Sequence, residues 1–145
     1  MLKIANTWAE DINIHAWCME NYGQPLQAFV GINEDNPPAA SDYPLLAVTG
    51  VTRRSGTADM IEVWEAVTAS GVADDAVETQ GRVTVTSGIM QAEQLLVMGL
   101  DALKAARIGK LSFTGEYSQI NFDGIFISYD TVRLEVPAAR RRLIQ

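Results

Sequence analysis

The sequence predicts an α+β domain, with a mixed, mostly antiparallel sheet of about four to six strands packed by an N-terminal helix and a central helix. Three observations predict it. Apolar residues recur at helical spacing in two segments, residues 4–19 and 87–106. Several other segments alternate apolar and polar residues with a period of two. Those strand-like segments lie on both sides of the central helix with hairpin-like connections, which favours antiparallel pairing. A chain of 145 residues can bury one core without disulfides or metal. Residues 1–137 therefore read as one domain, and residues 138–145 as a basic tail with Arg140, Arg141 and Arg142.

Taken in order, Ile4, Trp8, Ile12, Ala16 and Met19 trace one apolar stripe, which predicts a single amphipathic helix from Ile4 to about Met19. Ile14, Trp17 and Cys18 lie off that stripe and give the helix more apolar surface than one core contact needs. Gly23 and Pro25 stop it. Leu26–Ile32 and Tyr43–Val51 read as strands, separated by a polar loop, 33–42, with Pro37 and Pro38. Residues 53–59 read as a turn around Gly56, leading into a strand at Met60–Thr68 in which the valines are expected to face the core. Residues 69–81 carry two glycines and acidic residues without a period, and read as a long mobile loop; residues 81–86 add a short strand.

Ser87 offers an N-cap for the central helix, whose broad apolar face runs through Ile89, Ala92, Leu95, Leu96, Gly99, Leu100, Leu103 and Ala106, with Gly109 as its stop. Gly99 falls on the packed face, where a missing side chain permits close approach. A strand from Leu111 to Tyr117 follows. Asp123-Gly124 signals a turn, then come strands at Ile125–Tyr129 and Val132–Val136, ended by Pro137.

Composition narrows the function classes. Eleven basic against eighteen acidic residues give a net charge of −7, which repels nucleic acid and anionic membranes. A single cysteine, Cys18, removes disulfide frameworks and multi-cysteine zinc patterns, and fits a reducing cytosol. The N-terminal segment does not read as a signal peptide, and no run is long enough for a membrane helix.

Candidate chemistry is sparse. His15 and Cys18 are three residues apart on the predicted helix, within reach of a Cys-His nucleophilic pair, but an apolar setting favours a packed histidine and a buried thiol. Glu62, Glu65 and Asp59 are a conceivable acid-base set, yet Glu62 and Glu65 project to opposite faces of a strand. Glu34-Asp35 and Asp74-Asp75 are adjacent loop acids rather than spaced metal ligands. Nucleotide-binding, acyl-hydrolase and zinc-protease motifs are absent from the sequence. No catalytic, cofactor-binding or metal residue is expected. Trp8, Trp17 and Trp64 read first as core residues. As interface residues the sequence offers Trp17, Trp64, Arg53, Arg54, Asp74 and Asp75.

An N-terminal helix, YPLLAV after a Pro-containing loop, IEVWEAVT, the central helix SGIMQAEQLLVMGLDAL and a closing GIFISYDTVRLEVP together span most of the chain. In this layout the chain resembles the bacteriophage tail terminator and tail-completion proteins, small α/β subunits that form a hexameric ring on the tail tube. That resemblance implies a structural virion protein without catalytic residues or cofactors. It would self-associate, contact tail-tube and head-completion proteins, and reside in the host bacterial cytoplasm during assembly and then in the virion. Two other readings stand beside it: a small-molecule-binding or enzymatic domain, and an adaptor that dimerises through its first helix.

Overall fold

The computed structural model describes residues 1–55, 61–115 and 117–137. Two helices open the chain, α1 (Leu2–Glu10) and α2 (Ile12–Tyr22). The single helix expected over Ile4–Met19 is therefore corrected. Asp11 between them is extended, at φ −73° and ψ 121°, and its Oδ1 accepts the Ile14 N–H at 2.8 Å. That carboxylate satisfies a donor the start of α2 would otherwise leave open, and the local bond outcompetes continuation of α1. The break resets the helical phase. Ile4, Ala5 and Trp8 are buried in α1, then Ile14 and Cys18 in α2, whereas Ile12 is 82% exposed. As expected, α2 ends at Gly23, which is left-handed at φ 66°.

The strands follow as β1 (Gln27–Val30), β2 (Leu45–Ser55), β3 (Ile61–Ala73), β4 (Val77–Gln80) and β5 (Val83–Thr86). Helix α3 (Ser87–Ala106) comes next, then β6 (Lys110–Phe113), β7 (Ser118–Phe122) and β8 (Ile125–Pro137). The main sheet is mixed and six-stranded, ordered β1-β2-β3-β8-β6, with β7 also on β8; β4 and β5 form a separate hairpin. The predicted α+β class, mostly antiparallel, is what the chain adopts. The β1–β2 pair is parallel, and residues 31–44 make the crossover that such a pair requires.

Four segments differ from the sequence reading. Residues 53–55 continue β2 rather than turning, and residues 56–60 lie outside the described set. Residues 69–81 are not a long loop, because 69–73 finish β3 and 77–80 form β4. The strand from Leu111 ends at Phe113, since Gly115 turns the chain at φ 75°, and β7 was not anticipated. The two strands expected after Asp123-Gly124 are one, β8, although the turn itself is present with both residues at positive φ.

The second and fourth of these share a cause. The strand face beneath the helices carries small polar residues: Thr68, Ser70, Ser128 and Asp130 are each buried. Thr68 Oγ1 donates to the Asp130 carbonyl at 3.1 Å, and the Ser70 hydroxyl donates to the Ala92 carbonyl of α3. The Asp130 carboxylate accepts from the Thr114 hydroxyl, from Gly115 N–H at 3.2 Å and from Thr131 N–H at 2.7 Å. Satisfied in this way, Thr68, Ser70 and Asp130 sit in the core without the apolar signature of a buried strand, whereas the small Ser128 is buried with its hydroxyl unpaired. The same register shows that Glu62, Trp64, Ala66 and Thr68 share the helix-side face, so Val63 and Val67 lie on the face opposite the helices, where Val63 is buried as expected and Val67 half-buried.

All three helices pack on this one face. Ile4 and Trp8 of α1, Ile14 and Cys18 of α2, and Ala92, Leu95 and Leu103 of α3 join Leu46, Val48, Val72 and Phe126 of the sheet in one cluster. The expected face of α3 is buried except at Ile89, which is half-buried, and Ala106, which is exposed. Its N-cap is Thr86 rather than Ser87, and Arg107, left-handed at φ 52°, caps its C-terminus rather than Gly109. Gly99 is a point of close approach, as expected. The Trp8 indole N–H donates to the Gly99 carbonyl at 2.9 Å, and a Cβ on Gly99 would lie 3.1 Å from both δ-carbons of Leu46.

Gly99→Val should therefore lower unfolding free energy by about 2 kcal/mol through overpacking, and Trp8→Phe by about 1–2 kcal/mol through the lost indole hydrogen bond and lost volume. Urea unfolding of both variants measures this; wild-type midpoints would contradict the packing described.

Candidate functional site

With the helices gathered on one side, the other face of the sheet is only partly covered. Residues 31–44 fold back over one end of it, where Tyr43, Leu45 and Ala47 are buried against Phe29, Ile32, Ala73 and Ile125. The Tyr43 ring lies so close to β3 that a Cβ on Gly71 would fall 2.7 Å from it. Beyond this cap Val67, Ala69, Ile127 and Tyr129 are half-buried, and Ile120 and Phe122 of β7 are 50% and 48% exposed. Ile120 stands opposite Ile127, and Phe122 opposite Ile125, so they extend one apolar surface.

At one edge, β1 bonds only to β2. Gly31, at φ 77°, turns the chain off the sheet while its N–H still reaches the Val48 carbonyl at 2.8 Å. The loop beyond is held by its own polar side chains. Asn33 Oδ1 accepts from Asp35 N–H at 3.0 Å, and Asp42 Oδ2 from Ala39 N–H at 2.8 Å. Between this loop and β1 lies an open cleft of about 540 Å³, lined by Phe29, Val30, Ile32, Pro37 and Pro38, with Asp42 on its rim.

The opposite edge is cationic. Lys110 Nζ and an Arg133 guanidinium nitrogen approach Glu135 at 4.0 and 3.3 Å, with the Lys110 side chain 84% exposed. Lys104 Nζ, from the last turn of α3, sits 5.2 Å above the Phe113 ring. A smaller cleft of about 260 Å³ here is lined by Glu65, Phe113, Thr114 and Arg133. Separately, the β4–β5 hairpin turns through Gly81-Arg82 and leaves Val77 and Val83 each 59% exposed.

The residues singled out by sequence fall apart as a catalytic set. Cys18 is fully buried and His15 is exposed, and burial pushes the Cys18 thiol up to about 12. Glu62 is buried on the helix side while Glu65 lines the cleft on the opposite face; Asp59 lies outside the described residues. Among the described residues no group of His, Cys, Asp and Glu could hold a metal ion, and no helix is long and apolar enough to cross a membrane.

The six interface candidates divide into two groups at opposite ends of β3. Arg53 pairs in register with Trp64, which is half-buried, and Arg54 with Val63; the side chains of both arginines, like the tail 138–145, lie outside the description. At the other end the Trp17 ring lies 5.8 Å from that of Tyr22, whose hydroxyl donates to Asp74 Oδ2 at 2.8 Å. Asp74 thus ties α2 to the end of β3, while Asp75 is exposed. Trp8 is the core residue expected of it.

Sequence reasoning missed the β7 patch and the hairpin. Both left a signal: Ile120 and Phe122 share parity just before the Asp123-Gly124 turn, and Gly81-Arg82 stands between two four-residue strands. No protein-family model matches the chain, and no curated protein matches it in sequence.

Burial, and next the hydrogen bond to Asp74, also raises the Tyr22 hydroxyl. In the unfolded chain a thiol ionises near pH ~8.5 and a phenol near pH ~10, below the folded values of Cys18 and Tyr22. The unfolded state therefore releases these protons first, and their contribution to stability is complete below pH ~8.5 and lost as pH rises toward 12. Thermal unfolding between pH 8 and 11 should show a falling Tm. Cys18 should resist a disulfide reagent at pH 8 until urea unfolds the chain, and immediate reaction of the native protein would contradict its burial.

Proposed function

We propose that this chain is a structural assembly subunit of a phage or prophage tail, a terminator that closes into a ring, caps the tail tube and presents a surface to the head. The observation that carries the reading is the one-sided helix layer, which leaves an apolar sheet face and two sheet edges available for protein contact. Monomeric proteins rarely leave contiguous apolar surface of this kind uncovered, and such patches usually serve as interaction sites. The element order that resembles tail-terminator subunits supports the same reading. So does the net charge of −7, which suits contact with protein better than contact with nucleic acid.

A second reading, a small-molecule site, draws on the cleft beside β1, whose volume falls within the range of ligand pockets. Its polar lining side chains are Asn33, Asn36 and Asp42, and the Asn33 Oδ1 already accepts the Asp35 N–H. The rim carboxylate, Asp42, already accepts the Ala39 N–H.

Light scattering across a concentration series, followed by electron microscopy, tests the assembly reading. The expected result is a closed ring of about six copies with a central opening, since different surfaces on one subunit close by rotation. A species that stays a monomer, or stops at a two-fold dimer, at every concentration would overturn it.

A further inference from the structure

The β1 end of one sheet edge and the β6 end of the other differ in charge. From residue 4 to residue 52 the chain has no Lys or Arg but holds Glu10, Asp11, Glu20, Glu34, Asp35 and Asp42. This stretch builds α2, β1, the loop over the β1 cleft, β2 up to Thr52 and all of α1 after its exposed Lys3. Glu34 and Asp35 are exposed on that loop, beside the apolar walls of the cleft. At the other edge Lys104, Arg107, Lys110 and Arg133 are all exposed, with Glu65, Glu135 and the buried Asp130 as the nearby carboxylates among the described residues. Asp101 of α3 belongs elsewhere, in a cleft it shares with Asp11.

These edges cannot meet within one chain. In the order β1-β2-β3-β8-β6 they are four strand spacings apart, or roughly 19 Å. Each is a four-residue strand bonded on one side only. Two different, complementary patches on one subunit are what a head-to-tail contact between copies requires. Copies each carrying −7 repel one another overall, so an orienting contact needs local opposite charge.

We infer that the occupant of the cleft beside β1 is a second copy of this chain. Its β6 edge and the C-terminal turn of its α3 enter, with Lys104 and Lys110 facing Glu34 and Asp35. The apolar walls, Phe29, Val30 and Pro38, receive the stems of those lysines and the edge of the Phe113 ring. This assignment rests on the ring reading and adds to it which surfaces join and in which direction.

Sedimentation velocity at low and high salt tests it, using wild type, Lys104→Glu/Lys110→Glu, Glu34→Lys/Asp35→Lys and the chain combining all four substitutions. The substituted residues are exposed, and thermal unfolding checks that each variant folds. Wild-type association should weaken as salt rises, because the screening length falls from roughly 30 Å at 0.01 M to roughly 3 Å at 1 M. Each double variant should associate at least about tenfold more weakly, and the four-fold variant should recover to near wild type. Rings that form equally well in the double variants, or a four-fold variant that fails to recover, would overturn the β1–β6 contact and leave the ring reading standing. A wild-type chain that stays monomeric in every salt would overturn both.

Discussion

The contact on which the architecture depends is the meeting of Trp8, Gly99 and Leu46. An indole N–H bonded to a helix carbonyl, above a glycine with no side chain, lets α1, α3 and β2 converge at one point. A polar group so deep in the core is stable only because it is paired. Once α1 is fixed there, Asp11 redirects the chain into α2, which sends Ile14 and Cys18 into the same core. Tyr22, at the end of α2, then bonds Asp74 at the end of β3. The first two helices are thus each fastened at their last turn, α1 to α3 through Trp8 and α2 to the end of β3 through Tyr22. The one-sidedness of the helix layer leaves the opposite face to the crossover loop and to whatever binds there.

Beneath α3 the sheet presents hydroxyls and a carboxylate rather than a uniform apolar surface. Ser70 and Thr68 donate to backbone carbonyls, and Asp130 gathers donors from the segment joining β6 to β7. The small size of Ser70 and Ser128 also lets the helix sit close to the strands. Gly88 serves the same end at the start of α3, where a Cβ would fall 2.1 Å from the Phe126 ring. Close approach is therefore achieved by small residues along the whole helix, and hydrogen bonds stabilise what apolar burial does not.

This explains what could be read from the sequence and what could not. The apolar face of α3, the close approach at Gly99, the stop at Gly23 and the Asp123-Gly124 turn follow from local spacing and backbone preference, and each is present. The continuity of β3 and β8 was hidden because Thr68, Ser70, Ser128 and Asp130 are polar yet buried, a property set by partners distant in sequence. The break at Asp11 was legible as a capping residue, but the apolar stripe running through Ile12 masked it. Of the candidate site, the charge asymmetry is visible in the sequence as a long stretch without a basic residue. That it separates two sheet edges is fixed only by strand order, which no local pattern encodes.

Charge at the edges also limits which contacts are favourable. Unpaired strand edges invite indiscriminate pairing, and sheets restrain it with short edge strands, prolines and lysines. Here β1 and β6 are four residues each, Pro37 and Pro38 flank the first, and Lys110 opens the second. Two β6 edges brought together would oppose lysines, and two β1 edges would oppose carboxylates. Only the mixed pairing of β1 with β6 is attractive, so repulsion in the alternatives confers direction as much as attraction in the chosen contact does. A contact with direction cannot end at two copies, because each added subunit offers again the edge the last one used. It must either close on itself or propagate, and the proposed terminator role requires the former.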